Sequence, residues 1–145
     1  MIKLRKFELS DSPSVIKIAK ISFPKERILA KSFEKHYHAF PDGFIVSEEL
    51  GEIIGYVVGQ LKNQMGEIIS LAVKPNFRQK GVGTELVNLL SNHFKIIGLR
   101  EFFLHVKTDN VQAVLFFQNL DLRIIKTIKK YYKKRDDAFL MGKAI

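Results

Sequence analysis

The sequence predicts a single α/β domain, a mixed sheet flanked by helices on both faces, in the order β-α-α-β-β-β-α-β-α-β-β. Three observations carry this. The chain has 145 residues, 46% of them hydrophobic, which is one domain's length with enough apolar material for a core, and no linker, repeat or low-complexity run divides it. The apolar period changes at Val82, from strands to a helical stripe. The strand over 67–73 passes through a glycine-rich loop straight into that helix.

Each element has its own signal. Lys3 to Glu8 form a first strand. Ser10-Asp11-Ser12-Pro13 supply a cap residue and a first-turn proline, and Val15, Ile18, Ala19 and Ser22 continue at helical spacing until Phe23-Pro24 ends the helix. A second, irregular helix covers Ile28 to His38. Pro41-Asp42-Gly43 turns the chain. Phe44 to Glu48 and Glu52 to Lys62 make a hairpin around Leu50-Gly51, and Gly55 and Gly59 mark a bulge or a close backbone approach in its second strand. Asn63 to Gly66 turn again into the strand Glu67 to Val73, which Pro75 stops. Val82, Leu86, Leu89, Leu90, His93, Phe94 and Ile97 share one helical stripe, closed by Gly98. Glu101 to Val106 is a strand and Asn110 to Leu120 a helix with Ala113, Val114, Phe117 and Leu120 inward. Leu122 to Tyr132 and Ala138 to Lys143 close the chain as an antiparallel pair.

Composition excludes several chemistries. There is no cysteine, hence no disulfide framework, thiolate nucleophile or cysteine-based zinc site, and no metal site is expected. No apolar h-region follows Met1 to Lys6, and no stretch reaches the roughly 18 apolar residues of a membrane span, so a cytoplasmic protein without membrane contact is expected. Net charge is +9. That serves solubility or points to an anionic partner, and it disfavours polycationic substrates such as polyamines.

The stretch that carries chemistry is Leu71 to Gly83, with Arg78-Gln79-Lys80-Gly81-Val82-Gly83 between strand and helix. The first turn of a helix has unpaired N–H groups and a positive dipole end. Glycines at 81 and 83 remove the Cβ that would hold an anion off the backbone, and Arg78 and Lys80 add charge. A phosphate or pyrophosphate site fits this, as does a surface loop whose glycines serve only to turn. The Walker loop does not fit, because Gly-Lys-Ser/Thr is absent, and the dinucleotide fingerprint fails where Leu86 replaces its third glycine.

Arg78 to Gly83 match R/Q-x-x-G-x-G/A, after a strand ending L-x-V-x-P and before an amphipathic helix. In this the chain resembles the GNAT superfamily of N-acetyltransferases from Lys3 to Leu140. The resemblance implies the acyl-CoA N-acyltransferase fold and acetyl-coenzyme A (acetyl-CoA) as cofactor. It implies that the amides from Gln79 through Lys80, Gly81, Val82 and Gly83 to Thr84 receive the pyrophosphate. It also implies that pantetheine lies along Leu71, Ala72 and Val73, where the strand splays from that ending at Val106, with the Val73 N–H facing the thioester carbonyl. Asn110 matches an asparagine that contacts the cofactor arm, and a plain helix cap explains it as well. Phe117 stands where the family usually has a tyrosine as general acid, and Asp121-Leu122 replace the usual Gly-Phe.

Acetyl transfer to an amine needs a proton acceptor, since an α-amine titrates near 8 and a lysine near 10.4. Glu67, six residues before Val73, matches the catalytic glutamate of the histone-acetyltransferase branch. His105, five before Asn110, matches a histidine of some N-terminal acetyltransferases. The alternatives are a strand-end surface glutamate and a satisfied histidine. His93 is expected to pack, and His36 and His38 to lie on the surface.

The tail resembles the hairpin of N-terminal protein acetyltransferases of the archaeal and ribosomal-protein type, with Tyr131 and Tyr132 lining the peptide groove. Phe23 and Pro24 resemble the opposite wall, or serve as core residue and helix stop. Arg123 to Arg135 hold seven basic residues and no acid: a solvated face, or one that attracts an acidic peptide or ribosomal RNA. The expected acceptor is the N-terminal α-amine of a protein or peptide, with ribosome association through the basic surface, and the chain a monomer or homodimer. Rival acceptors are lysine side chains and small-molecule amines, and a non-catalytic coenzyme A- or partner-binding module is the rival outside enzymes.

Overall fold

A computed structural model describes residues 1–132 and 136–145; Lys133, Lys134 and Arg135 of the basic run lie outside the described residues. The strands are β1 (Ile2–Lys6), β2 (Phe44–Glu49), β3 (Glu52–Lys62), β4 (Met65–Val73), β5 (Glu101–Lys107), β6 (Arg123–Ile128) and β7 (Ala138–Ala144). The helices are α1 (Ser12–Ser22), α2 (Ala30–Ala39), α3 (Val82–Ile96) and α4 (Val111–Asn119). Element order is as expected from the sequence.

The strands form one sheet in the order β1-β2-β3-β4-β5-β7-β6, antiparallel except where β4 meets β5. Phe7, Val15, Ile18, Phe33, Phe44 and Tyr56 make a core under α1 and α2. A second core joins Leu86, Leu90 and Phe94 of α3 to Phe102, Leu104 and Met141 of the sheet, with Phe117 of α4. α3 comes close at Gly59 and Gly66, where a Cβ would sit 2.8 Å from Leu90 Cδ1 and 2.6 Å from Phe94 Cδ2. The sheet also has register shifts at Ser47/Glu48, opposite Gly55, and at Val58/Gly59.

The second shift positions the site. Val58 pairs with Ser70 and Gly59 with Ile68, so Ile69 is an extra residue on β4. A bulge bends and twists its strand. Pairing of β4 with β5 is confined to Gly66–Phe102 and Glu67–Phe103, and beyond it the two strands part.

Several boundaries differ from expectation. β1 stops at Lys6 because Glu8 N–H donates to Asp11 Oδ2 (2.9 Å), tightening residues 9–11 into a 3-10 turn. α2 starts at Ala30, after an extended Leu29. β4 begins at Met65, since the turn needs only Asn63 and Gln64, both at positive φ. β6 ends at Ile128 rather than Tyr132, because Asp137 Oδ1 accepts the Lys130 N–H (3.0 Å) with Lys130 at φ 54°, which places both tyrosines in the connecting loop. Ile97 was expected on the inner stripe of α3 but is exposed. The helix ends before it, and Gly98 N–H to Lys95 O with Leu99 N–H to Phe94 O closes a Schellman motif, with Leu99 packed on the core in its place. His36 was expected on the surface but is half-buried.

Candidate active site

The parting of β4 and β5 leaves a backbone edge without a partner strand. Lys74 N–H donates to Ile54 O of β3, so alternation aims the polar groups of Ala72 at β3 and those of Leu71 and Val73 at the gap. Ala72 is therefore committed to the sheet and the core under α1, whereas Leu71 and Val73 offer N–H and C=O to the gap. The Val73 carbonyl accepts from Arg78 Nε (2.8 Å), and Arg78 also reaches Ser22 Oγ (3.2 Å). Arg78 thus ties the strand end to the end of α1, and the Val73 N–H is left facing the gap.

The loop that follows has Gln79 at φ 61° and Gly81 at φ 85°. None of the N–H groups from Gln79 to Thr84 donates to a described residue; the first helical bond is Glu85 N–H to Gly81 O (3.0 Å). A Cβ at Gly81 would meet nothing within 4 Å, so the ground above the amides is open. Gly83 is small for another reason: a Cβ there would lie 3.2 Å from the Phe116 ring of α4. The Lys80 ammonium sits over the Phe77 ring (5.7 Å). Six unpaired amides at the positive end of a fifteen-residue helix suit a pyrophosphate, and the Leu71–Val73 edge suits an extended amide-bearing arm.

A cleft of about 700 Å³ lies between the parted strands. Glu67 and His105 line it from β4 and β5, Asn110 and Phe117 from α4 and its cap. Phe23 and Pro24 stand on one wall and Tyr131 and Tyr132 also line it, so the sequence-predicted groove residues all border the same space. The phosphate-type loop adjoins this cleft without lining it. Asn110 Oδ1 accepts from Ala113 N–H (3.2 Å), so it caps α4 while facing the cleft.

Glu67 is 6% exposed, and Gln60 Nε2 donates to its Oε1 (2.7 Å). Its Oε2 stands 3.5 Å from His105 Nδ1, which also lies 3.3 Å from the Tyr131 hydroxyl. The His105 and Tyr131 rings stack at 4.3 Å. Burial pushes the His105 pKa below its ordinary value; Glu67 opposes this and the Lys62 and Lys126 charges reinforce it. Burial raises both tyrosines, Tyr131 further by the Glu67 charge and Tyr132 to about 12. Burial likewise lowers His36, with Lys35 adding to it against the Glu67 charge.

Sequence reasoning missed Gln60, Phe116 and Ser70, whose Oγ is bonded to the buried Tyr56 hydroxyl (2.8 Å) at the cleft. Gln60 had a signal: a two-residue turn at Asn63-Gln64 sets residue 60 opposite 67. Phe116 had none, because contact between α3 and α4 is tertiary.

A split sheet with a free strand edge, an open helix N-terminus following it, and a cleft lined by a carboxylate and an imidazole is the arrangement of an acyl-CoA-dependent N-acyltransferase. The chain belongs to the Acetyltransferase (GNAT) family, whose pattern matches residues 12–121, and is an acetyl-CoA-dependent N-acetyltransferase. It is 36% identical over 143 residues to an uncharacterised N-acetyltransferase of Methanocaldococcus jannaschii, covering 97% of this chain and 90% of that one. It is 31% identical over 153 residues to an N-alpha-acetyltransferase of Sulfolobus acidocaldarius, again covering 97% and 90%. Among solved structures it is similar to Ard1 from Thermoplasma volcanium, with a TM-score of 0.94, 26% identity and coverage of 99% and 97%. Among the described residues no helix is long and apolar enough to cross a membrane, and no cluster of three metal-binding side chains occurs.

Proposed function

We propose that this enzyme acetylates the N-terminal α-amine of a protein or peptide. The observation that carries this is that Phe23-Pro24 and Tyr131-Tyr132 line one cleft together with Glu67 and His105. A groove with aromatic sides and an open end takes the start of an extended chain and positions its amine at the strand gap. The relationship to an N-alpha-acetyltransferase supports the same acceptor.

When bound, acetyl-CoA supplies an activated thioester; the chain's residues hold and orient it. The amides from Gln79 to Thr84 take the pyrophosphate, with Lys80 adding charge. Leu71 and Val73 pair with the arm, and Asn110 and Phe117 border it. The Val73 N–H stabilises negative charge on the carbonyl oxygen. Arg78 holds the Val73 carbonyl and so fixes the orientation of that peptide unit.

His105 is the proton acceptor. A proton on Nδ1, donated to Glu67, leaves Nε2 basic. Its lowered pKa keeps it neutral at pH 7, and an amine with a pKa of about 8 yields its proton to such a base through water. Glu67, held by Gln60, orients the imidazole and balances its charge. Phe117 has no proton to give, and the tyrosine hydroxyls, held protonated, stand in as donors to the leaving thiolate. Such a substrate suits an enzyme of the cytoplasm that acts on emerging chains.

Mass spectrometry of products from acetyl-CoA with a mixed panel of peptides, lysine-containing peptides blocked at the N-terminus, and small amines tests this. Acetylation at free peptide N-termini is expected. Products confined to lysine side chains or small amines, or no product, would refute it.

A further inference from the structure

The sheet has a face that no described helix covers. α1 and α2 pack over β2, β3 and β4, while β5, β7 and β6 turn Phe102, Leu104 and Met141 to the core under α3. Their alternate residues, Phe103, Leu140 and Gly142, floor a trough of about 770 Å³ on the opposite side. The extra β6 residue, Ile125, lies across Gly142, whose Cβ would come 2.8 Å from its Cδ1, and it stays 60% exposed. The rim is basic. Lys62 stands at the β3–β4 turn, Arg123 and Lys126 on β6, and Lys143 on β7, against the carboxylates of Glu101 and Asp121. None of those four cations forms an ion pair with a described residue.

The trough is continuous with the catalytic cleft. His105 lines both, with Tyr131 stacked on its ring at the junction. From His105 back to Glu101 is four residues of strand, about 13 Å, the span of about four residues of an extended peptide.

We propose that this trough holds an acidic segment of the acceptor polypeptide, downstream of the residues inside the catalytic cleft, against Lys62, Arg123, Lys126 and Lys143. The inference rests on the peptide acceptor proposed above and adds a charge preference beyond the first residues. Charge complementarity and continuity with the cleft select this occupant. The floor is apolar, which suits side chains of a strand-like peptide. RNA is disfavoured because single-stranded nucleic acid stacks on exposed aromatics, and Phe103 is only 9% exposed.

The test uses the whole enzyme and peptides that share their first residues and differ only downstream, where one set carries glutamates, one serines and one lysines. The Michaelis constant for the glutamate set should be about 3- to 10-fold below that for the serine set, and the advantage should shrink with added salt. Arg123→Glu/Lys143→Glu should reverse the order and Arg123→Gln/Lys143→Gln should level it. Lys62 and Lys126 are left intact because their charges act on His105. Each comparison is a ratio within one enzyme, so altered turnover cancels. Equal constants for the wild type, or a preference surviving Arg123→Glu/Lys143→Glu, would overturn the proposal. Failure of the underlying acceptor assignment looks different: no peptide N-terminus is acetylated at all. Fluorescence anisotropy of the same labelled peptides then decides, since it needs no turnover, and equal binding of glutamate and serine peptides overturns the trough. An oligoribonucleotide whose binding depends on Arg123 and Lys143, with no charge preference among peptides, assigns the face to RNA and overturns it too.

Discussion

The roles proposed for Glu67 and His105 rest on their surroundings. A nearly buried carboxylate bonded to Gln60 has one oxygen left for the imidazole beside it. Because burial, Lys62 and Lys126 together depress the His105 pKa, the acid limb of kcat should fall below pH 6.5, with activity lost as pH drops through that value. Lys126→Ala removes a depressing charge and should move the limb up; Glu67→Gln removes an elevating one and should move it down. His105→Ala and Glu67→Gln should each lower kcat by about 10-fold or more while leaving acetyl-CoA affinity nearly unchanged. Steady-state pH profiles read all of this, and wild-type rates in the double variant would contradict it. Both positions were singled out by their distance from Val73 and Asn110, and the fold brings them together at one cleft. The guanidinium of Arg78, turned to Val73 O, was not, because a side chain's direction depends on neighbours such as Ser22 that lie far away in sequence.

The β6–β7 connection shows the same limit at the level of an element. Alternation carries a strand pattern through Tyr132, yet the strand ends at Ile128. What ends it is the Asp137 carboxylate, which accepts from Lys130 N–H and Lys129 Nζ. That capture releases Tyr131 from the ladder and lets it stack on His105. Tyr131→Ala should raise the Michaelis constant for peptide by about 10-fold, with that for acetyl-CoA unchanged. Asp137→Ala should produce a smaller rise in the same direction by loosening the loop. Steady-state kinetics with each substrate varied in turn measures both. An unchanged peptide constant in Tyr131→Ala would move the acceptor wall elsewhere. By contrast α3 was legible almost to its last residue, because a long stripe and a terminal glycine are local signals.

Across the whole molecule, the order of elements followed from periodicity and turn residues, while the split between β4 and β5 did not. Nothing local announces it; the resemblance of Arg78 to Gly83 implied it, and the extra residue Ile69 supplies its physical cause. Global stability has a titratable anchor away from the site. The Asp11 carboxylate accepts from both terminal guanidinium nitrogens of Arg5, at 2.8 and 2.9 Å, and ties β1 to the start of α1. Burial alone would raise the Asp11 pKa, but Arg5 and the Glu8 N–H outweigh it, and the net direction is down. The sign follows: this contribution is present in full above about pH 3.8, and is lost as pH falls through the lower folded value. Denaturant unfolding across acidic pH should show Arg5→Ala less stable than wild type at neutral pH, with the gap narrowing toward pH 3 and below. A gap independent of pH would contradict it.

The proposed cofactor site is the run of unpaired amides between β4 and α3. Isothermal titration of acetyl-CoA into the wild type and Gly81→Asp tests them most directly, because open space around Gly81 lets the new carboxylate occupy the anion's place without disturbing the core. Gly81→Ala serves as control for the left-handed backbone, with a strain of about 1 kcal/mol. Micromolar-range binding by the wild type, most of it kept by Gly81→Ala and lost by about 100-fold or more in Gly81→Asp, is the predicted result. Equal affinity in wild type and Gly81→Asp would contradict the assignment of that loop.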